Sequence, residues 1–150
     1  MYRRQVLLGT GAVVSLAGCL SDDSEIDEME RGRIEIVIDD EPVDLEADRF
    51  QSEHAEEYSI DFHFHEFDEF WYMEGEKRVT FAEAIDLIPH FEYATDEGEH
   101  VLTYDGTTYD TNHSEIHISF FHNDDPVDPT EQLLYNGDEL LVEVETDGME

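Results

Sequence analysis

The sequence predicts an α+β domain with a mostly antiparallel or mixed β-sheet of about seven or eight strands and one helix. Three observations support this fold class. Apolar and polar residues alternate with a period of two through most of residues 33–146, which is typical of half-buried strands. Turn sequences such as Asp105-Gly106 separate several of these segments. Only residues 80–88 show helical spacing, and one helix among many strands indicates an α+β architecture.

The predicted strands follow one another from residue 34. Ile34, Ile36 and Ile38 share one face of the first strand, and the acidic segment 39–42 predicts a turn. The second strand is predicted at residues 59–67, where apolar Ile60, Phe62 and Phe64 alternate with polar Asp61, His63 and His65. Three hairpins are predicted next, at 71–80 around the turn 74–77, at 101–109 around 105–106, and at 133–144 around 136–138, with a separate strand at 116–120.

The one predicted helix, about residues 80–88, has recognisable ends. Thr80 is a typical N-cap, and Glu83 stands three residues later, where a capping box needs it. Pro89 predicts the end of the helix. The apolar face consists of Phe81, Ala84, Ile85 and Ile88.

Acidic residues dominate the composition, with 41 Asp and Glu against 7 Lys and Arg and a net charge of −34. Charge of this size favours disorder in dilute solution, but 9 Phe, 7 Tyr and 1 Trp supply a core. In about 1 M salt the Debye length is only about 3 Å, so the carboxylates hardly repel one another. The composition resembles that of proteins from salt-loving archaea. Nucleic acid is excluded as a partner, because phosphate recognition needs Lys and Arg.

The first 19 residues have the features of an export signal. Arg3 and Arg4 precede the apolar run 6–16, which is shorter than the roughly 20 residues that span a bilayer, and Leu-Ala-Gly-Cys ends at Cys19. This arrangement resembles the signal of lipoproteins exported by the twin-arginine pathway. The resemblance implies removal of residues 1–18 and a lipid on Cys19. The partner would then be the membrane, with the protein on the outer face of the cytoplasmic membrane.

The rest of the chain is expected to form one domain. Residues 19–32 are acidic and without periodicity, which predicts a tether, and residues 33–146 form the α+β domain. Residues 147–150 form an acidic tail. Asn112 begins an Asn-His-Ser sequon, so in an exported protein it is a candidate glycosylation acceptor.

Two internal similarities bear on topology. Residues 36–44 and 120–128 both read as an apolar strand followed by an acidic turn with proline, which suggests a repeat. Residues 134–142 resemble the closing hairpin of small β-grasp domains, where a Gly-Asp turn precedes the last strand. The resemblance implies a β-grasp-like fold. The chain lacks the Gly-Gly terminus of ubiquitin-like sulfur carriers, so their carrier chemistry is not implied.

Histidine is the residue type that indicates chemistry. His63 and His65 lie two apart on a predicted strand, on the face opposite Phe62 and Phe64, so both imidazoles can reach one ion. His117, on the polar side of another strand, is the expected third ligand, and Zn or Cu suits imidazole ligands. The alternative is that these are ordinary strand-surface histidines. Further candidates for the third ligand, called the reserve ligands below, are His122, Glu66 and His113.

The functional expectation is a non-catalytic protein. No phosphate-binding loop and no Gly-x-Ser-x-Gly setting occurs in residues 20–150, so an enzyme is not expected. The leading hypothesis is a lipid-anchored envelope domain, adapted to high salt, that binds a protein or a small ligand. The alternative is an envelope metal-binding protein that uses the strand histidines.

The charge predicts that the fold requires concentrated salt. Loss of Arg3 and Arg4 with the signal leaves 5 basic residues against 41 acidic ones. At about 0.1 M salt the Debye length reaches about 10 Å, so neighbouring carboxylates repel. Circular dichroism during dialysis from molar KCl to dilute buffer should show loss of β structure. An unchanged cooperative melting transition in dilute buffer would contradict the prediction.

Overall fold

The computed structural model describes residues 25–26 and 28–146, and the predictions for residues 1–18, Cys19 and the tail 147–150 lie outside this part. The described residues form ten strands and one α-helix, which confirms the predicted α+β class. The elements are β1 Glu30–Ile38, β2 Glu41–Pro42, a 3₁₀ turn Asp48–Phe50, β3 His63–Phe64, β4 Trp71–Met73, α1 Phe81–Leu87, β5 Phe91–Asp96, β6 Glu99–Tyr104, β7 Thr107–Asp110, β8 Ile116–His122, β9 Asp125–Pro126 and β10 Glu139–Thr146.

Seven of the strands form one mixed sheet. Its order is β9-β8-β10-β1-β4-β3, and β2 also pairs with β1. Strands β1 and β10 are parallel, from Arg33 opposite Glu139 to Ile38 opposite Val144, and the other pairs are antiparallel. Strands β5, β6 and β7 form a separate antiparallel sheet. The predicted mixed sheet is therefore confirmed.

The hydrophobic core lies on one face of the mixed sheet. Ile36 of β1 and Val142 of β10 are fully buried at its centre. The ring of Phe81 in α1 meets the ring of Phe120 in β8 edge to face, with centroids 5.7 Å apart. Toward the opposite edge of the same sheet, Trp71 of β4 is also fully buried. The core is thus continuous from β8 to β4.

Helix α1 matches its sequence prediction. The Thr80 side chain accepts a hydrogen bond from the Glu83 backbone N–H (3.1 Å), and the Glu83 carboxylate accepts one from the Thr80 N–H (2.8 Å). This capping box satisfies two N–H groups that a helix start otherwise leaves unpaired. The predicted apolar face is buried against the core.

The suspected repeat corresponds to two matching hairpins. Strands β1 and β2 are joined by Asp39 and Asp40, both with positive φ (50° and 71°), and β8 and β9 by Asn123 and Asp124 (52° and 76°). Two positive φ values are the requirement of a type I′ turn, which Asn and Asp tolerate better than most residues. Prolines occupy equivalent positions after both turns, with Pro42 opposite Val37 and Pro126 opposite Phe121.

The predicted hairpin at 101–109 is present, but those at 71–80 and 133–144 are absent. Strand β4 has β1 and β3 at its two edges, so residues 78–80 have no free edge to pair with. Strand β10 likewise lies between β1 and β8. Thr80 and Leu133 instead form a bridge with each other.

The predicted strand 59–67 is reduced to His63–Phe64. A turn precedes it, in which the Phe62 N–H donates to the Ser59 carbonyl (3.2 Å), and the chain bends again at Phe67, whose φ is +63°. Phe62 is fully buried, whereas Phe67 is 95% exposed. The alternation therefore identifies Phe62 and Phe64 as inward correctly, but Ile60 is exposed, His63 is buried as well, and the strand is shorter than predicted.

The described fold begins before residue 33, where the sequence predicts its start. Ile26 is buried and its N–H donates to the Glu76 carbonyl (3.1 Å). Glu30 opens β1 and forms an ion pair with Arg78 (2.5 Å). Among the described residues, no helix has the length and apolar character that a membrane crossing needs.

Two phenylalanines five residues apart test this arrangement. Phe62 stacks on Trp71 with ring centroids 5.3 Å apart, so Phe62→Ala should lower the free energy of unfolding by about 3–5 kcal/mol. Phe67→Ala removes an exposed ring and should change it by no more than about 0.5 kcal/mol. Denaturant unfolding in molar KCl measures both. Equal losses would show that the inward side of 59–67 is misassigned.

Candidate metal centre

Three side chains converge beside β3 and β4. The Nε2 atom of His63 lies 2.7 Å from Oε1 of Glu74 and 3.2 Å from Nε2 of His65. The remaining distance, from His65 Nε2 to Glu74 Oε1, is 3.5 Å. Two imidazole nitrogens and one carboxylate oxygen therefore face a common point, and all are atoms that ligate transition metals.

Strand register brings these residues together. His63 stands opposite Tyr72 in the antiparallel β3–β4 pair, so both side chains lie on the same face. Glu74 comes two residues after Tyr72 and returns to that face. The Glu74 N–H donates to the Ile60 carbonyl (3.0 Å), which holds the start of the following turn against the segment before β3.

The other nitrogen of each imidazole has a fixed acceptor. His63 Nδ1 lies 2.9 Å from the Ser59 carbonyl oxygen, and His65 Nδ1 lies 2.7 Å from Oε2 of Glu53. A carbonyl and an ionised carboxylate only accept hydrogen bonds, so both Nδ1 atoms carry hydrogen. When the rings are neutral, both Nε2 atoms therefore direct a lone pair at the common point. Metal-ligating histidines are typically oriented in this way.

The electrostatics of the Glu53–His65 pair support this assignment. Burial opposes ionisation of Glu53, but hydrogen bonds from His65 and from the Glu66 backbone N–H (2.9 Å) lower its pKa to about 2. Burial also works against the charged form of His65. The hydrogen bond to Glu53 and the negative charges of Glu53 and Glu74 outweigh burial and raise the pKa of His65. Glu53 is thus a carboxylate throughout the physiological pH range.

The arrangement needs a cation at its centre. Three acceptor atoms within 3.5 Å repel one another unless a proton or a metal ion lies between them. Tetrahedral Zn²⁺ at about 2.0–2.1 Å would separate its ligands by about 3.3 Å. The distances of 3.2 and 3.5 Å fit this value, and the 2.7 Å contact between His63 and Glu74 is a hydrogen-bond length.

The centre is shielded on one side and open on the other. The His63 side chain is 2% exposed, whereas the side chains of His65 and Glu74 are 32% and 35% exposed. Tyr72 is buried against both rings, edge to face with His65 at 4.8 Å, and Tyr58 tilts over His63 at 5.4 Å. An ion here would keep a coordination position that water or another ligand can reach.

The structure brings together two of the three predicted ligands. His63 and His65 meet as predicted, but His117 lies exposed on β8, and β10, β1 and β4 separate β8 from β3. The third member is Glu74 instead. The prediction of His117 was wrong because period-two alternation identifies the polar side of a strand but not its neighbours. The signal that could have indicated Glu74 is its spacing of two from Tyr72.

The reserve ligands and Asn112 have other surroundings. His122 Nε2 lies 2.7 Å from the buried carboxylate of Asp138, and Glu66 pairs with His54 at 2.8 Å. His113 lies exposed in the turn between β7 and β8. Asn112 is exposed in the same turn and donates to the Asp110 side chain (2.9 Å). Its glycosylation stays a prediction.

Comparison of the chain with protein-family models, with curated proteins and with solved structures finds no match. Function therefore has to be argued from the centre itself.

Replacement of Glu53 tests the orientation of His65. Zn²⁺ binding requires neutral His65, so in the wild type it should weaken as pH falls through the raised pKa of that ring, above the ordinary value near 6.5. Glu53→Gln removes the charge that raises this pKa, so the midpoint should move to lower pH. Affinity at high pH should fall about 10–100-fold, because the imidazole becomes less basic.

A chelator-competition titration of Zn²⁺ between pH 5.5 and 8.5 in molar KCl measures the midpoint. Glu66→Gln is the matched control, since Glu66 pairs with His54 rather than with His65. An identical midpoint in wild type and Glu53→Gln would contradict the assigned role of Glu53.

Proposed function

We propose that the chain is a lipid-anchored domain of the cell envelope that binds one transition-metal ion, Zn²⁺ first, through His63, His65 and Glu74. Of the two functions expected from the sequence, the geometry favours metal binding. The observation that carries the proposal is the convergence of three acceptor atoms whose imidazoles are already oriented by Ser59 and Glu53. The support for export and for the lipid on Cys19 is the resemblance of residues 1–19 to a twin-arginine lipoprotein signal.

The donor set favours Zn²⁺ over Cu²⁺. Two imidazoles and one carboxylate suit either ion, but Cu²⁺ prefers a square-planar or tetragonal arrangement. Two of the three distances here, 3.2 and 3.5 Å, have the spacing of tetrahedral ligands, and the third, 2.7 Å, is a hydrogen-bond length. Structural zinc sites are closed by four protein ligands, whereas three ligands and a solvent-facing side are typical of an exchangeable or reactive ion. We therefore propose reversible binding rather than a structural ion.

The acidic surface supports metal capture only in part. A net charge of −34 attracts every cation, but molar salt screens this attraction beyond about 3 Å. Carboxylates alone also suit Mg²⁺ and Ca²⁺. Selectivity must therefore come from the two imidazoles. We propose that the histidines distinguish this centre from the diffuse cation atmosphere of the protein.

A second function, binding of a protein or small ligand without metal, is supported by an open cleft of about 1180 Å³. One wall comes from residues 54–59 and the other from residues 86–94. Tyr58 and Ser59 belong to this wall and also contact His63, so the cleft and the centre share a segment.

We further propose that the core is β-grasp-like. The order β2-β1-β10-β8-β9, with the first and last strands parallel and adjacent at the centre and a helix over the sheet, supports this relation. Residues 43–80 and 88–115 would then be insertions, and the first of them carries the centre.

Titration of the purified, untagged protein with Zn²⁺ in molar KCl tests the metal proposal. Wild type should bind one ion, and His65→Ala and Glu74→Gln should each weaken binding by at least about 100-fold, the upper end of what a lost outer-shell partner costs. These two side chains are partly exposed, so the variants should fold. His117→Ala is the matched control and should bind as wild type. Equal affinity in all four proteins would reduce the centre to ordinary strand-surface histidines.

A further inference from the structure

The chain enters the domain beside the metal centre. Glu25 forms a bridge with Lys77, and the Ile26 N–H donates to the carbonyl of Glu76, which is two residues after the ligand Glu74. The entry point and the centre therefore share one turn, residues 74–77. Only five residues separate Cys19 from Glu25.

We infer that the face carrying the metal centre lies against the lipid bilayer; this inference rests on the lipid at Cys19 that is part of the proposed function. The six steps from Cys19 to Glu25 span at most about 20 Å when fully extended. A domain of this size has a radius of gyration of about 14 Å, and so measures about 35 Å across. The tether is shorter than the domain, so the entry end is the end nearest the membrane.

Exposed apolar side chains are concentrated around the entry and the metal centre. Three of the five large apolar side chains that are exposed in the described residues flank the three ligands. Tyr58 lies over the His63 ring, and the Ile60 carbonyl accepts a hydrogen bond from the Glu74 N–H. Phe67 comes two residues after His65. Phe67 is 95% exposed although its φ of +63° is costly for an aromatic residue. No contact within the described residues accounts for the exposure of the Phe67 ring, whereas insertion among lipid head groups would account for it.

The other two exposed apolar side chains are at the entry itself. Met29 directly precedes β1, and the Tyr135 ring lies 4.4 Å under the guanidinium of Arg78, which donates to the Glu25 carbonyl (3.0 Å). Four of the five thus lie beside the entry or next to the centre, and Phe67 lies on the far side of the centre, in the connection between β3 and β4. An apolar surface grouped in this way marks a surface that contacts another phase or partner.

The few cations of the domain are placed at the same end. Arg31, Arg33, Lys77 and Arg78 are four of its five basic residues. The Arg31 guanidinium lies 4.5 Å over the Phe70 ring and 3.5 Å from the Tyr72 hydroxyl. The Tyr72 ring in turn packs edge to face against His65. Arg33 and Arg78 are paired with Glu69 and Glu30 (2.7 and 2.5 Å), so this grouping offsets part of the negative charge of the 41 acidic residues at this side of the domain.

Site-specific quenching tests the orientation on the full, lipid-modified chain. Ile60→Cys places a fluorophore beside the centre and the turn 74–77, and Glu41→Cys is the matched control, opposite the far end of the nine-residue strand β1, about 30 Å away. The lipid blocks the Cys19 thiol, so only the new cysteine is labelled. Each protein is reconstituted in molar KCl into phosphatidylcholine vesicles that contain head-group-quencher lipid.

The label at position 60 should lose fluorescence when quencher lipid is present, and the label at position 41 should not. Equal loss at both positions, loss only at 41, or no loss at either would overturn the orientation. Flotation of the same samples reports separately on the anchor. Protein that fails to float overturns the lipid on Cys19 and this inference with it, whereas protein that floats without quenching at 60 overturns this inference alone. Zn²⁺ titration of the same samples tests the metal centre independently of both.

Discussion

Strand β1 is the element on which the rest of the structure depends. Its first three residues pair with β4 and its remaining residues with β10, so one strand joins the part of the sheet beside His63, His65 and Glu74 to the central part. The crossing point is Gly32, where an added Cβ would lie 2.3 Å from the Asp138 carbonyl oxygen and 2.5 Å from the Trp71 ring. No other residue type fits there without displacing backbone or the buried indole. The position of β4, and with it that of Glu74, follows from this close contact.

The abundant acidic side chains are also structural at particular turns. Asp39 accepts hydrogen bonds from the N–H and hydroxyl of Thr146 at one end of β10 (2.9 and 2.7 Å). Asn123, at the equivalent position of the second hairpin, accepts one from the Glu139 N–H at the other end (2.8 Å). The two matching turns therefore hold the last strand from both ends. Side chains of the two turns, one of them acidic, thus supply acceptors that the fold uses.

Local sequence features predicted those parts of the fold that local contacts determine. Helix α1 has its capping residues within the segment, and Asp105-Gly106 turns the chain without outside help. The hairpins at 71–80 and 133–144 could not be excluded from sequence, because distant strands occupy both edges of β4 and β10. The residues of the centre were likewise predictable only in part. His63 and His65 follow from a spacing of two, whereas Glu74 depends on the register between β3 and β4.

The oriented imidazoles of the centre have a consequence for the cooperativity of the fold. In the proposed centre, an ion or proton would link residues 51–66, which supply Glu53 and both histidines, to the turn after β4. Beyond this link, β3 pairs with β4 at only two positions, and Phe62 and Phe64 anchor the segment in the core. Withdrawal of both metal and proton would leave three lone pairs opposed. The free energy of locally opening the polar side of this segment would then depend on what the centre holds.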